Sequence, residues 1–126
     1  MTRRLVYALD LQNDPMLIEE YERWHQAGRI WPEIVQSLRA AGIDEAEIYR
    51  TGNRLVLILD VPLEFDPAAK AAADATDARV QAWETLMWKY QQALPWAQPG
   101  QKWVPMHRIF SLTDLSIPPR PGTRAV

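Results

Sequence analysis

Arg54-Leu55-Val56-Leu57-Ile58-Leu59-Asp60-Val61 is the stretch on which the fold turns. It is rich in aliphatic residues, Val56 and Ile58 among them β-branched, so it reads as a strand. Successive side chains of a strand point to opposite faces. Leu55 to Leu59 place an apolar residue at every position, so both faces of this strand have to be covered. Gly52-Asn53 in front of it suits a tight hairpin turn, with Ala46–Thr51 as the partner strand.

Upstream, Arg3–Leu11 (RRLVYALDL) is a further strand by composition. Asn13-Asp14-Pro15 opens a helix, because Asp14 can cap and Pro15 suits the first helical position. Glu19 and Glu20 lie early in that helix, where its dipole favours negative charge. Leu17, Ile18, Tyr21 and His25 follow the spacing of one helical face. Gly28-Arg29 interrupts the pattern and Pro32 disfavours helical geometry at Trp31, so a break falls between His25 and Pro32. A second segment runs from Pro32, with Trp31, Ile34, Val35 and Leu38 on one stripe, and stops at Gly42.

Downstream, Asp66-Pro67 starts a helix through Lys70 and Asp74. Asp77 caps a longer one, Ala78 to about Ala93, with Val80, Trp83, Met87 and Tyr90 on one stripe. Lys102–Leu112 (KWVPMHRIFSL) reads as the last strand, and Pro105 puts it at an edge or a bulge. The chain thus divides into a domain over 1–115 and a Pro-rich tail over 116–126. The order βαββαβ, with split helical steps, predicts an α+β, ferredoxin-like sheet with helices on one face. Covering the other face calls for a second copy, hence a homodimer whose sheets pack together as a dimeric α/β barrel.

The 126 residues fit one domain, and 48% hydrophobic residues suffice for a real core. A net charge of −2 argues against a nucleic-acid partner, which calls for a basic surplus. The absence of Cys excludes a disulfide scaffold, a thiolate metal site and a cysteine nucleophile. Arg3-Arg4 leads only to Leu5–Leu9 before Asp10, too short an apolar run for a secretory signal. No stretch approaches the roughly 18 apolar residues of a membrane span. The expectation is a soluble, cytoplasmic domain with no membrane partner. Six Trp in so short a chain stand out, since a Trp face can stack on the C–H face of a sugar ring as well as fill a core.

Tyr21 and His25, four residues apart, project from the same helical face. A His exchanges protons near neutral pH, and a Tyr hydroxyl can orient or relay the proton. Tyr-x-x-x-His is a weak signal by itself, because a surface His beside a core Tyr has the same spacing. His107 has no evident catalytic partner and reads as structural. No ligand cluster, Gly-rich phosphate loop or nucleophile elbow occurs, so neither a metal nor a cofactor is expected. Proton transfer without a cofactor is the best-supported chemistry. Met87 and Trp88, being adjacent in a helix, face different directions, so one can line a pocket while the other does not.

The succession Glu19-Glu20-Tyr21-x-x-x-His25, Ile30-Trp31-Pro32-Glu33, Ile48-Tyr49 and Trp88-Lys89-Tyr90 resembles the L-rhamnose mutarotase family. Lys70-Ala-Ala-Ala-Asp74, Leu86-Met87-Trp88-Lys89-Tyr90-Gln91 and Lys102-Trp103-Val104 with Arg108-Ile109-Phe110 are similar to its L-fucose mutarotase-like branch. The resemblance covers about residues 3–113. It implies a cofactorless isomerase of carbohydrate metabolism, a ferredoxin-like homodimer that interconverts the α and β anomers of a 6-deoxy-hexose monosaccharide. It implies His25 as the catalytic acid/base, with Tyr21, Met87, Trp88 and Trp31 as substrate-binding residues. Met87 stands where the rhamnose enzymes carry a Trp, Ala46 where they carry a Tyr, and His25 and Trp31 are two residues further apart. These departures favour L-fucose over L-rhamnose. Two other readings compete: a non-catalytic dimeric ferredoxin-like binding domain, and a cofactorless monooxygenase.

Overall fold

The computed structural model describes residues 1–115. The Pro-rich segment 116–126 lies outside the described residues. In chain order the elements are β1 (Thr2–Leu11), α1 (Pro15–Trp24), α2 (Pro32–Ala40), β2 (Glu45–Thr51), β3 (Arg54–Pro62), α3 (Pro67–Ala75), α4 (Ala78–Trp88), β4 (Gln91–Gln92) and β5 (Val104–Pro105), then a 3-10 turn at Leu112–Asp114. The strands form one antiparallel sheet in the order β2-β3-β1-β4, with β5 also on β1. This is the expected α+β, ferredoxin-like arrangement, each helical step split in two.

Local chemistry sets the helix starts. Asp14 accepts from the backbone N–H groups of Met16 (2.9 Å) and Leu17 (3.3 Å), Asp66 from Ala68 (3.0 Å), and Asp77 from Arg79 (3.0 Å) and Val80 (3.2 Å). Pro15, Pro32 and Pro67 occupy first helical positions, where a missing N–H costs nothing. The break between α1 and α2 turns through Gly28 at φ +83°, a conformation that L side chains resist.

Register decides which side chains meet the helices. Leu5, Tyr7 and Leu9 of β1 pair with Leu59, Leu57 and Leu55 of β3 on one face. Leu55 joins Leu11, Tyr21, Ile34, Trp83 and Met87 in one core cluster, while Leu59 and Val61 join Ile43 and Phe65 in a second. Val56 and Ile58 point to the opposite face, beside Val6, and are only half-buried. The described residues therefore bury Leu55, Leu59 and Val61 on one face of β3 and leave Leu57 on that face, and Val56 and Ile58 on the other, half-buried.

Two boundaries depart from expectation. α4 ends at Trp88 rather than near Ala93, because the Tyr90 carbonyl accepts from the Gln12 N–H (2.7 Å) and draws the next two residues against β1. Tyr90 is buried, so the apolar spacing ran on past the true helix end. The expected strand Lys102–Leu112 is reduced to Val104–Pro105, followed by one further bond from the Met106 N–H to the Val6 carbonyl (2.8 Å). β3 already occupies one edge of β1, so β4 and β5 divide the other edge between them. Pro105 adds no donor of its own.

Candidate active site

Between the helix-facing side of the sheet and the helices lies a cavity of about 710 Å³. Tyr21 and His25 of α1, Trp83 and Met87 of α4, Gln91 of β4 and Trp103 line one part of it. Another part is lined by Ile43 and Phe65 with Ser37, Lys70 and Asp74. There the Lys70 ammonium donates to Ser37 Oγ (3.0 Å) and is paired with the Asp74 carboxylate, so this polar group is internally satisfied.

α1 ends at the cavity. Tyr21 is the buried residue of that helix, and His25 is its C-cap. Their rings lie 4.5 Å apart between centroids. His25 Nδ1 is 2.7 Å from the Tyr21 carbonyl oxygen. A carbonyl only accepts, so Nδ1 carries the proton, and Nε2 of the neutral ring is left as the basic nitrogen. The Trp83 ring meets the imidazole edge-on at 5.6 Å. Burial lowers the His25 pKa below its ordinary value, opposed by the bond to the Tyr21 carbonyl. Burial likewise pushes the Tyr21 phenol up to about 12, so it stays protonated at neutral pH. The pair therefore presents a base and a hydrogen-bond donor side by side.

The direction of the His25 shift fixes a pH dependence. An unfolded His titrates near 6.5, and the folded one titrates lower. The unfolded state thus binds the proton first, and stability rises with pH across that window. The His25 contribution is complete above about pH 6.5 and is lost as pH falls through the folded pKa. We expect the acid limb of the rate profile to lie below pH 6.5 and the thermal midpoint to fall over the same range. An acid limb centred above 6.5, read from NMR exchange rates across pH, would contradict this.

Of the five site residues expected from sequence, the structure brings Tyr21, His25 and Met87 together at the cavity. It does not bring Trp31 or Trp88 to the wall. Trp31 stands behind it, packed on Trp83 at 5.2 Å with the Arg79 guanidinium 4.2 Å from its ring centroid. Trp88 is 42% exposed, with the Lys102 ammonium 5.1 Å from its ring centroid. A step of one residue turns a helix by about 100°, so Met87 and Trp88 cannot share a face. Sequence reasoning missed Trp83, Gln91, Lys102 and Trp103 as cavity residues. For Trp83 the sequence does carry a signal, its place four residues before Met87 on one helical stripe. Among the described residues, no group of three His, Asp or Glu side chains gathers as a metal site would require. His107 is exposed and away from the cavity.

Fold and cavity together define a small α+β protein that sets a neutral imidazole beside a protonated phenol at a largely apolar chamber. Comparison with known proteins makes this specific. Residues 4–112 match the L-rhamnose mutarotase family. An L-fucose mutarotase of Xanthomonas campestris is 55% identical over 112 residues, covering 89% of this chain and 90% of that relative. An L-rhamnose mutarotase of Acidiphilium cryptum is 31% identical over 105 residues, covering 83% and 95%. The crystal structure of an L-rhamnose mutarotase from Formosa agariphila superposes with a TM-score of 0.64 at 21% identity, covering 87% of this chain and 98% of that one. The chain belongs to the L-rhamnose mutarotase family.

Proposed function

We propose that the protein is an isomerase that interconverts the α and β anomers of a 6-deoxy-hexose, with L-fucose as its preferred sugar. The observation that carries this is the Tyr21–His25 pair at the cavity wall, with a neutral imidazole and a protonated phenol. Mutarotation needs a proton removed from the anomeric hydroxyl and one delivered to the ring oxygen. Both oxygens sit on C1, so one imidazole can serve both. Nε2 of His25 takes the hydroxyl proton as the C1–ring-oxygen bond opens, then returns it to the ring oxygen. The Tyr21 phenol donates a hydrogen bond to the oxygen that carries the developing charge. Rotation about C1–C2 and the reverse transfer close the other anomer, and the enzyme ends unchanged. Trp83, Met87 and Trp103 supply apolar surface for the ring's C–H face and the 6-methyl group.

The 55% identical relative named L-fucose mutarotase supports the choice of sugar. So do Met87 and Ala46, which replace bulkier ring-edge groups at the cavity. The test is saturation-transfer NMR on L-fucose, L-rhamnose, L-galactose and D-glucose with one preparation, where only a mutarotase exchanges magnetisation between anomers. Fastest exchange is expected with L-fucose. L-rhamnose faster by about tenfold would reverse the sugar, and no exchange with any of them would return the protein to a binding role.

We further infer that the working form is a homodimer. Val6, Val56 and Ile58 leave one sheet face half-covered. Ile109 and Phe110 beyond β5 are 90% and 66% exposed. Apolar surface of this kind on a small domain suits a second copy. Sedimentation is expected to give twice the chain mass; a well-folded monomer at micromolar concentration would sink the dimer.

A further inference from the structure

Gln91 is a polar residue in an apolar place. On β4 it pairs with Leu11 of β1, and only 5% of its surface is exposed. Its side chain lines the cavity next to Tyr21. Nε2 donates to the Tyr21 hydroxyl at 3.4 Å. Oε1 is a buried acceptor that has no hydrogen-bond partner among the described residues. Such atoms are rare in folded proteins because an unmet buried acceptor forfeits its bonds to water. Two polar side chains of the cavity are engaged within the protein: Lys70 with Ser37 and Asp74, and Lys102 with the Glu84 carbonyl. Gln91 Oε1 is a buried acceptor left uncommitted, on the side chain that donates to the Tyr21 hydroxyl.

We propose that Gln91 is a sugar-binding residue whose Oε1 accepts a hydrogen bond from one ring hydroxyl while its Nε2 orients the Tyr21 phenol. The missing donor then arrives with the ligand. A neutral amide oxygen among aromatic and thioether neighbours suits a hydroxyl, whereas an anion would meet a second acceptor there. The Nε2 contact has a further consequence. It occupies a lone pair of the Tyr21 oxygen, so the phenol's own proton is free to point at the sugar. One side chain thus reads the substrate and sets the direction of the neighbouring donor. A site built around a hydroxyl rejects an analogue lacking it far more strongly than an apolar wall rejects an added methylene. Gln91 is accordingly a determinant of which hydroxyl pattern the cavity accepts. This rests on the sugar reading above.

The test compares wild type with Gln91→Met, which keeps the volume and removes the amide. Affinity for L-fucose and for its monodeoxy analogues is read from intrinsic Trp fluorescence, and anomer exchange from NMR. Gln91→Met is expected to weaken L-fucose binding about 10- to 100-fold. One monodeoxy analogue, the one lacking the hydroxyl that Gln91 meets, is expected to bind the two proteins alike. Affinity of Gln91→Met within about twofold of wild type for every sugar would overturn the inference. A readout without substitution guards against a variant that fails to fold: the Gln91 side-chain NH₂ resonances of wild type should shift on L-fucose addition. Resonances that stay put at saturation would also overturn it. Wild type that binds the sugar through Gln91 yet exchanges no anomers would refute the mutarotase reading alone. Exchange by wild type with unaltered binding by Gln91→Met would refute the role of Gln91 alone. Absence of both binding and exchange for every sugar would sink both.

Discussion

His25→Ala is expected to lose about 10²–10⁴-fold of anomer exchange while remaining folded, the range a positioned acid–base group supplies. The imidazole is only partly buried, and its one hydrogen bond goes to the Tyr21 carbonyl. That carbonyl is at the end of α1, where unpaired acceptors are normal and water can replace the ring. The loss should therefore appear in the exchange rate and hardly in the unfolding midpoint. His107→Gln is the matched control, since His107 is exposed and apart from the cavity. It should keep most of the activity. Wild-type exchange by His25→Ala, or loss in His107→Gln equal to it, would move the acid–base role elsewhere.

Trp83→Ala is expected to show the largest effect on stability, about 3–5 kcal/mol for a buried Trp. Its ring touches Trp24, His25 and Trp31 edge-on, at 6.3, 5.6 and 5.2 Å between centroids. It is therefore the centre of the aromatic group that separates the imidazole from water. Removing it should lower the urea midpoint steeply and hydrate His25. With less desolvation the His25 pKa moves back up, so the acid limb of the rate profile should shift to higher pH. Trp83→Phe keeps part of the ring stack and should show both effects in smaller measure. A urea midpoint for Trp83→Ala within experimental scatter of wild type would contradict the packing argument.

Much of this was written into the chain locally. Asp-Pro at 14–15 and 66–67, and Asp77, marked three helix starts that the cap hydrogen bonds bear out. Gly28 and Pro32 marked the break that leaves His25 at a helix end. The apolar run Leu55–Leu59 marked the central strand pair, because a strand with no polar alternation has to be covered. Tyr21 and His25 share a wall of the cavity because a fixed helical spacing puts them on one face of α1, whereas Met87, named from likeness of motif, reaches that wall from α4. What escaped notice depends on distant contacts. Tyr90 is apolar and buried, and nothing nearby in sequence says that its carbonyl is taken by Gln12 of another segment. Gln91 was therefore placed inside a helix and its side chain never considered. The same holds for the short β5, whose length is set by sharing one edge of β1 with β4. Trp31 and Trp88 were chosen by likeness of motif, and only packing reveals which Trp reaches the cavity.

The placement of β1 at the middle of the sheet also bears on how the molecule is assembled as it is made. Leu9 pairs with Leu55, Asp10 with Gln92 and Tyr7 with Pro105, so the earliest strand waits for partners synthesised much later. The β2–β3 hairpin closes over a two-residue turn and can form on its own schedule. Non-local pairings are slow and leave apolar edges open meanwhile. At about 5–20 residues per second of synthesis, β1 spends seconds as an unpaired strand before β3 emerges. Lys102 and Trp103 reach the cavity later still, on the segment that carries β5. A nascent chain that already displays His25 on its first helix therefore has no finished chamber around it, and competence to hold a sugar arrives with the last strand to dock.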